Sequence, residues 1–426
     1  MNKVCLIIYL AGLLACITVA TTPARADLTY SSSDVGSLFN SYRFAQAKVL
    51  PWPGTYWPFY GDSSGSGIDH KFNPNQPSPA QKYDALFNQG TGAADWEEAN
   101  HTCVGVKPEQ MHDCQEWYGH CNGWTGAALF NPEPDYNQTF DLQDPKTGAK
   151  ISFNFADIKA LLSEAWLDAS VSFEGTGTTV PGGDWIFDPN DPVSRQTSVN
   201  NSQLTNYDAY WDVTPRALFY ALTTYIGSQG VALAMDRFTG DEIWNQPIMA
   251  YRFVPITGNT DKPVSQKGLT LYPVKFGVKL YWANDDVAFE FKRTDSLNWN
   301  VTDSHFSTDK IPNPPADVWR QENSADNAVN SRYIAFTLFF DSPVSVSADG
   351  TQITSAGRIV GDGVWDHADP AAKAIWYPKG LAQSQTHPDF LWRPDIIVEP
   401  SYRNPFIDPR KLYEQILKRP APIVIE

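Results

Sequence analysis

The stretch from Cys114 to Phe130, CQEWYGHCNGWTGAALF, carries the side chains best arranged for covalent chemistry. Cys121 follows a Gly119-His120 step and precedes a run of small residues: Asn122, Gly123, Thr125, Gly126, Ala127 and Ala128. Glycine permits a sharp turn, and the small side chains let a buried helix pack closely against a sheet. A cysteine that opens such a helix is biased toward thiolate, because the free N–H groups and the helix dipole favour the anion. Thiolate is the attacking species. Gln115 lies six residues before Cys121, where a side-chain amide can donate to a developing oxyanion. The competing reading is a buried structural cysteine, the commoner fate of a lone thiol.

A cysteine nucleophile needs an imidazole base and usually a third group to orient it. Of the seven histidines, His70, His101, His112 and His120 precede the nucleophile. His120 is adjacent to it, and neighbours at a helix start point apart, so it is a poor base. His305 sits in a polar stretch. His367 lies in the turn-like VWDHADP, and His387 opens HPDFLWRP, which runs from a polar loop into a strand-like segment. An imidazole at the start of a strand, opposite a helix N-terminus, suits a base. Spacing favours His387, with His367 as the alternative. Downstream, Asn404, Asp408, Asp389 and Asp395 can take the third role.

The cysteine count supports this reading. Five are encoded, and Cys5 and Cys16 fall in an N-terminal segment with a charged tip (Lys3), an apolar run (Val4 to Val19) and TTPARA. That pattern is a secretory signal peptide cut after Ala26; it is too short to be read as a membrane span. Leu13-Leu14-Ala15-Cys16 offers a rival, lipoprotein-type cut that would anchor the chain at Cys16, but the predicted outcome is soluble export, secreted or periplasmic. Export favours disulfides, so Cys103 is paired with Cys114 and Cys121 is left as the odd thiol. The net charge of −16 and the lack of a long basic run exclude nucleic acid and anionic membrane surfaces as partners. The 15 Trp, 19 Tyr and 23 Phe imply a core filled with large rings, and the 32 Pro imply much loop.

The elements that must position these residues follow from pattern. Residues 27–100 read as an aromatic and Pro-rich N-terminal wrap or propeptide-like region, and 101–426 as a catalytic α+β domain. Within the first, Ser78 to Gln89 is a helix with a serine cap and Pro in the first turn. In the second, a helix runs from Cys121 to near Asn131-Pro132. Phe153 to Trp166 is an amphipathic helix with Phe155, Ile158, Leu161, Leu162 and Trp166 on one face. Residues 168–206 form a long loop rich in oxygen ligands but without EF-hand spacing. Thr214-Pro215 opens a helix stopped by Gly227. Val231–Arg237, Met249–Val254, Val274–Trp282, Val287–Lys292 and Ile334–Phe340 are strands. A short helix follows Asp408-Pro409. Helices first and an antiparallel sheet after them suit an α+β, hydrolase-like fold.

Several segments also resemble one known family. Ile243 to Pro255, IWNQPIMAYRFVP, resembles the surface peptide segment of the secreted transglutaminase elicitors, matching Trp244-Asn245-Gln246-Pro247 residue for residue. WYGHCNGWTGAA (Trp117–Ala128), DIKALL (Asp157–Leu162), Tyr56–Pro58 and HPDFLW (His387–Trp392) are similar to that family in the same order. The resemblance implies a papain-like, transglutaminase-like core, with the nucleophile helix packed on an antiparallel sheet and long loop insertions. It implies protein-glutamine γ-glutamyltransferase activity, with Cys121 as nucleophile and His387 as base. Gln115 has the spacing of the oxyanion glutamine in papain-like enzymes. A carboxylate is common as the family's third member, whereas here Asn404 is best spaced. The residues themselves require no cofactor; the resemblance implies Ca²⁺ assistance. The expected partners are proteins or peptides with accessible Gln and Lys. The alternatives are a cysteine peptidase or amidase, a glutamine deamidase on the same site, or a non-enzymatic secreted interaction protein.

Overall fold

Apolar residues at every second position build the centre of the molecule. The computed structural model describes residues 35–59, 68, 77–88, 92–101, 118–167, 213, 215–237, 244–254, 256, 262–266, 268–285, 287, 322–323, 329–361, 363–365, 373–374, 377–378, 388, 391–393 and 403–422. The longest ladder joins β7 (Leu269–Ala283) to β9 (Val329–Phe340), antiparallel from Tyr272↔Phe340 to Ala283↔Val329. Outside β9 lies β12 (Val364–Trp365). On the other side of β7 come β5 (Asn245–Phe253), β4 (Leu233–Asp236) and β15 (Leu391–Trp392). The short strands β1 (Phe44–Gln46), β6 (Val264–Gln266) and β8 (Glu322–Asn323) pair with β5, β7 and β9. All these pairings are antiparallel. Separate two-stranded pieces are β2–β3 (Phe140–Gln143, Lys150–Phe153), β10–β11 (Ser345–Val346, Ile353–Ser355) and β13–β14 (Lys373–Ala374, Tyr377–Pro378).

Because side chains alternate across a strand, the sheet buries a core on each face. Val274, Phe276, Val278, Leu280 and Trp282 of β7, with Ile334, Phe336 and Leu338 of β9, enter one core. Tyr281 and Ala283 of β7 enter the other. On β5 the alternation breaks: Met249 and Ala250 both face the second core, where the β5–β7 register shifts between Ile248 and Ala250. An inserted residue in one strand of a pair has this effect.

Helices close both cores. The first is covered by α1 (Val35–Ser41) and α6 (Pro215–Ala221), which widens into π-type turns over Leu222–Gln229. The sequence pattern stops this helix at Gly227. Instead it continues to Gly230, whose φ of +71° ends it in the left-handed region. Gly227 serves close packing: a Cβ there would lie 2.9 Å from the Tyr251 hydroxyl and from Tyr42. The second core lies under α2 (Pro79–Phe87), α3 (Ala93–Asn100), α4 (Cys121–Phe130), α5 (Phe155–Ala165) and α7, a turn Pro409–Lys411 that widens into Leu412–Ile416. Capping boxes start α2 at Ser78 and α5 at Asn154, where a short polar side chain accepts the third backbone N–H. A buried ion pair, Lys82 Nζ to Asp157 Oδ2 at 2.6 Å, ties α2 to α5.

The segment 27–100 is, where described, part of both cores. Val35, Leu38 and Phe39 sit in the first; Trp52, Trp57, Tyr83 and Leu86 sit in the second. Helices α1 and α3 lie within the stretch that composition marks as extended wrap. The signal segment, the loop 168–206 and the strand expected at Val287–Lys292, apart from Val287, fall outside the described residues. Among the described residues no helix is long and apolar enough to cross a membrane.

Candidate active site

Cys121 is the first residue of α4, as the small-residue pattern predicts, and it is buried and not in a disulfide. The approach to it is fixed by a strap from the N-terminal segment. Pro58 bridges antiparallel to Gly119, the Phe59 N–H donates to the Tyr118 carbonyl at 2.8 Å, and the His120 N–H donates to the Tyr56 carbonyl at 2.6 Å. Gly119 allows that approach, since a Cβ would stand 2.5 Å from the Tyr56 carbonyl oxygen. Helix α4 then runs across β5, where the Thr125 hydroxyl donates to the Asn245 carbonyl at 3.0 Å.

At the thiol the structure brings in a residue that the sequence reading did not place there. The Asn245 amide Nδ2 donates to Cys121 Sγ at 3.5 Å. Its Oδ1 accepts from the Trp392 indole N–H at 2.7 Å. The Trp-Asn-Gln-Pro segment is therefore not a surface peptide. Asn245 and Gln246 are buried because β5 is an interior strand, and the Gln246 amide donates to Asp285. Trp244 packs edge-on against Tyr56. The expectation of a ready thiolate is also corrected. Burial pushes the Cys121 thiol up to about 11; the Asn245 amide opposes this, and Asp236 and Asp285 add to it. Desolvation outweighs the helix start.

His120 turns away from the thiol, as expected of a neighbour at a helix start. Its Nδ1 faces the Trp57 carbonyl at 3.2 Å, and its Nε2 lies 2.8 Å from Glu164 Oε2 and 3.2 Å from His101 Nδ1. His101 Nδ1 is 2.9 Å from Glu97 Oε2 and 3.7 Å from Glu164 Oε2, and His120 Nε2 is 3.6 Å from Glu97 Oε2. All four side chains are buried. Burial works against charge on His120, but Glu164 and Glu97 outweigh it and hold the imidazole up at about 10. Burial likewise works against charge on Glu97, and His101 and His120 more than offset it, holding that carboxyl down at about 2.

Asn404 lies against Glu97 and Glu164. Its Nδ2 donates to the Ala93 carbonyl and to Glu97 Oε1, both at 2.8 Å; its Oδ1 accepts from Phe406 N at 3.0 Å, and its backbone N–H donates to Glu164 Oε1. Asp408 caps α7, accepting from Arg410 N at 2.8 Å. Asn404 is thus tied to the Glu97–Glu164 pair and Asp408 to the start of α7. Gln115, Cys103, Cys114, His367, His387 and Asp389 lie outside the described residues. The i, i+4 spacing of Glu97 and His101 was a usable signal for the buried cluster. It needed a helix over 93–100 that composition concealed.

Comparison with known proteins gives the family. No curated protein matches the chain. The crystal structure of the GP42 transglutaminase from Phytophthora sojae is similar at 16% identity, with a TM-score of 0.40, covering 86% of this chain and 91% of that one. The family model described as transglutaminase elicitor matches residues 32–95 and 92–304. That span is well over half of the chain and includes the strap, Cys121, α5 and Asn245, so the chain belongs to the transglutaminase elicitor family.

Proposed function

We propose that the chain is a secreted protein-glutamine γ-glutamyltransferase that forms a thioester on Cys121, built on a papain-like core. The observation that carries this reading is the position of Cys121 at the start of α4, with an amide N–H of β5 at its sulfur, in a chain of the transglutaminase elicitor family. His387 is the base. Its assignment is supported by Trp392, five residues further on, whose indole is tied through Asn245 to the thiol. With Asn404 and Asp408 engaged elsewhere, Asp389 is the orienting residue that spacing leaves closest to His387. His367 is the alternative base.

In this reaction the imidazole takes the thiol proton as Sγ attacks the carbon of a glutamine carboxamide. Gln115 and the Cys121 backbone N–H hold the oxyanion; loss of one such donor costs about 100- to 1000-fold in rate. The C–N bond breaks, and ammonia leaves with the proton returned from the imidazole. A lysine amine then attacks the thioester, the C–S bond breaks, and an isopeptide remains while Sγ regains a proton. A raised thiol pKa makes the base obligatory, because little thiolate exists at neutral pH without it. Burial around Cys121 limits water and so favours the amine over hydrolysis to glutamate. Proteins with accessible Gln and Lys are the substrates, and Ca²⁺ assistance belongs to the same reading.

The test is mass spectrometry of casein incubated with the mature protein and a biotinylated primary amine. Wild type incorporates the amine at glutamines. Cys121→Ala folds normally and incorporates none, and His387→Ala loses most of the activity. A fully active Cys121→Ala protein overturns the mechanism. Casein cleaved without incorporation moves the chain to the peptidases, and glutamate in place of glutamine makes water the acceptor.

A further inference from the structure

We propose that Glu97, His101, His120 and Glu164 form a closed, buried binding site for one zinc-class divalent cation, set immediately before the nucleophile. The two facing nitrogens and two carboxylate oxygens converge on one point, and all lie within 4.8 Å of one another. Five of the six separations run from 2.8 Å (His120–Glu164) to 3.7 Å (His101–Glu164), and the two carboxylate oxygens lie within 4.8 Å of each other. Four tetrahedral ligands at zinc bond lengths of about 2.0–2.2 Å stand about 3.3–3.6 Å apart, inside the span of these separations.

Hydrogen bonding accounts for two of the contacts, His120–Glu164 and His101–Glu97, but not for the other three. His101 Nδ1 has three neighbours, Glu97 Oε2, His120 Nε2 and Glu164 Oε2, and one ring nitrogen carries at most one N–H. His120 Nε2 is placed in the same way. A cation between them gives each lone pair a partner at once. The remaining atoms of the ligands are held from behind, as metal ligands usually are. The Trp57 carbonyl faces His120 Nδ1. Asn404 donates to Glu97 Oε1 through its side chain and to Glu164 Oε1 through its backbone, so each Oε2 turns inward. Phe59 walls the site, stacked on His101 at 4.9 Å and edge-on to His120 at 5.0 Å. Two imidazoles exclude calcium, which takes six to eight oxygens, and favour zinc and its neighbours. Four protein ligands in a buried site leave no open position, so the ion is structural. It ties α3 and α5 to the residue that precedes Cys121. Nothing in this depends on the acyl-transfer reading.

Elemental analysis of the mature, full-length protein after zinc loading and dialysis tests the proposal. One zinc per chain is expected, with cobalt-loaded wild type showing the visible absorption of four-coordinate Co²⁺. Stripping with a chelator should lower the thermal midpoint by several degrees, and zinc, not calcium, should restore it. Glu97→Gln/His101→Gln should hold none, and Asn404→Ala should bind about 10- to 100-fold more weakly. The proposal is overturned if wild type retains no zinc and gives no cobalt bands. It is equally overturned if the double variant keeps a full equivalent, or if calcium alone shifts the midpoint. The cobalt and chelator measurements use wild type, so a variant that fails to fold leaves the proposal decidable.

Discussion

The Asn245 side chain links the nucleophile to β15: its Nδ2 donates to Cys121 Sγ, and its Oδ1 accepts from the Trp392 indole N–H. These roles separate by mutation. Asn245→Ala removes the donor at sulfur and strands a buried indole N–H, costing about 1–3 kcal/mol of stability. Trp392→Phe removes the indole donor and part of the buried ring volume but leaves the amide in place. If the amide stabilises charge at sulfur or on the attacked carbonyl, amine incorporation should fall about 100-fold in Asn245→Ala, and under tenfold in Trp392→Phe. Equal losses in the two variants would reduce Asn245 to a strut. At this scale Cys121 was legible, because glycine and small residues around a cysteine announce a tightly packed helix start. Asn245 was not. Its motif resembles a surface peptide, while the mainly apolar run that follows it, Pro247 to Phe253, is what marks an interior strand. The buried histidines were hidden for another reason. Glu97 stands only four residues from His101, but that spacing has meaning only once a helix is recognised over 93–100, and Glu164 is far from both in sequence.

Helices α4 and α5 meet at Gly123, and their contact sets where Cys121 stands. A Cβ on Gly123 would lie 2.1 Å from the Ser163 carbonyl oxygen, 2.9 Å from Leu167 N and 3.0 Å from its Cα. All three are backbone atoms, so no side-chain rotation relieves the clash and the helices must part. Gly123→Ala should therefore destabilise by about 1–3 kcal/mol or more, as overpacking does, measured by chemical denaturation. It should also lower amine incorporation, because the residue that moves is two positions from the nucleophile. A neutral Gly123→Ala would mean that α4 is held by the sheet rather than by α5. The run of small residues was read as packing on a sheet, and Thr125 does touch β5; the tighter approach is to a helix. Helix α2 was legible from its Ser78 cap and first-turn proline, and α5 from its apolar face; the Asn154 cap of α5 came from the structure. The continuation of α6 was not legible, since glycine reads the same whether it ends a helix or admits a neighbour.

At the scale of the whole chain, the question is whether residues 27–100 mask the site or help build it. A removable segment would lie on a surface that is already complete. Here Phe39, Trp52 and Tyr83 are fully buried and Trp57 is nearly so. Trp57 donates its indole N–H to Ser163 Oγ at 3.1 Å, and residues 56–59 pair with the three residues before Cys121. Each of these rings, when buried, contributes about 1.5–3 kcal/mol of transfer free energy, and four of them together rival the net stability of a typical domain, about 5–15 kcal/mol. Composition concealed this because Pro, Gly and aromatic residues read as a loose wrap whether the rings face solvent or a core. A chain beginning at residue 101 should therefore be insoluble or show no cooperative unfolding, and should lack amine incorporation. It would also lose Glu97 and with it the zinc-class site. A soluble, cooperatively folded and more active 101–426 fragment would identify the N-terminal segment as an inhibitory propeptide. The same cores would then have to close without Trp52 and Trp57, against α4 and α5 whose Trp124 and Leu162 pack in the same cluster.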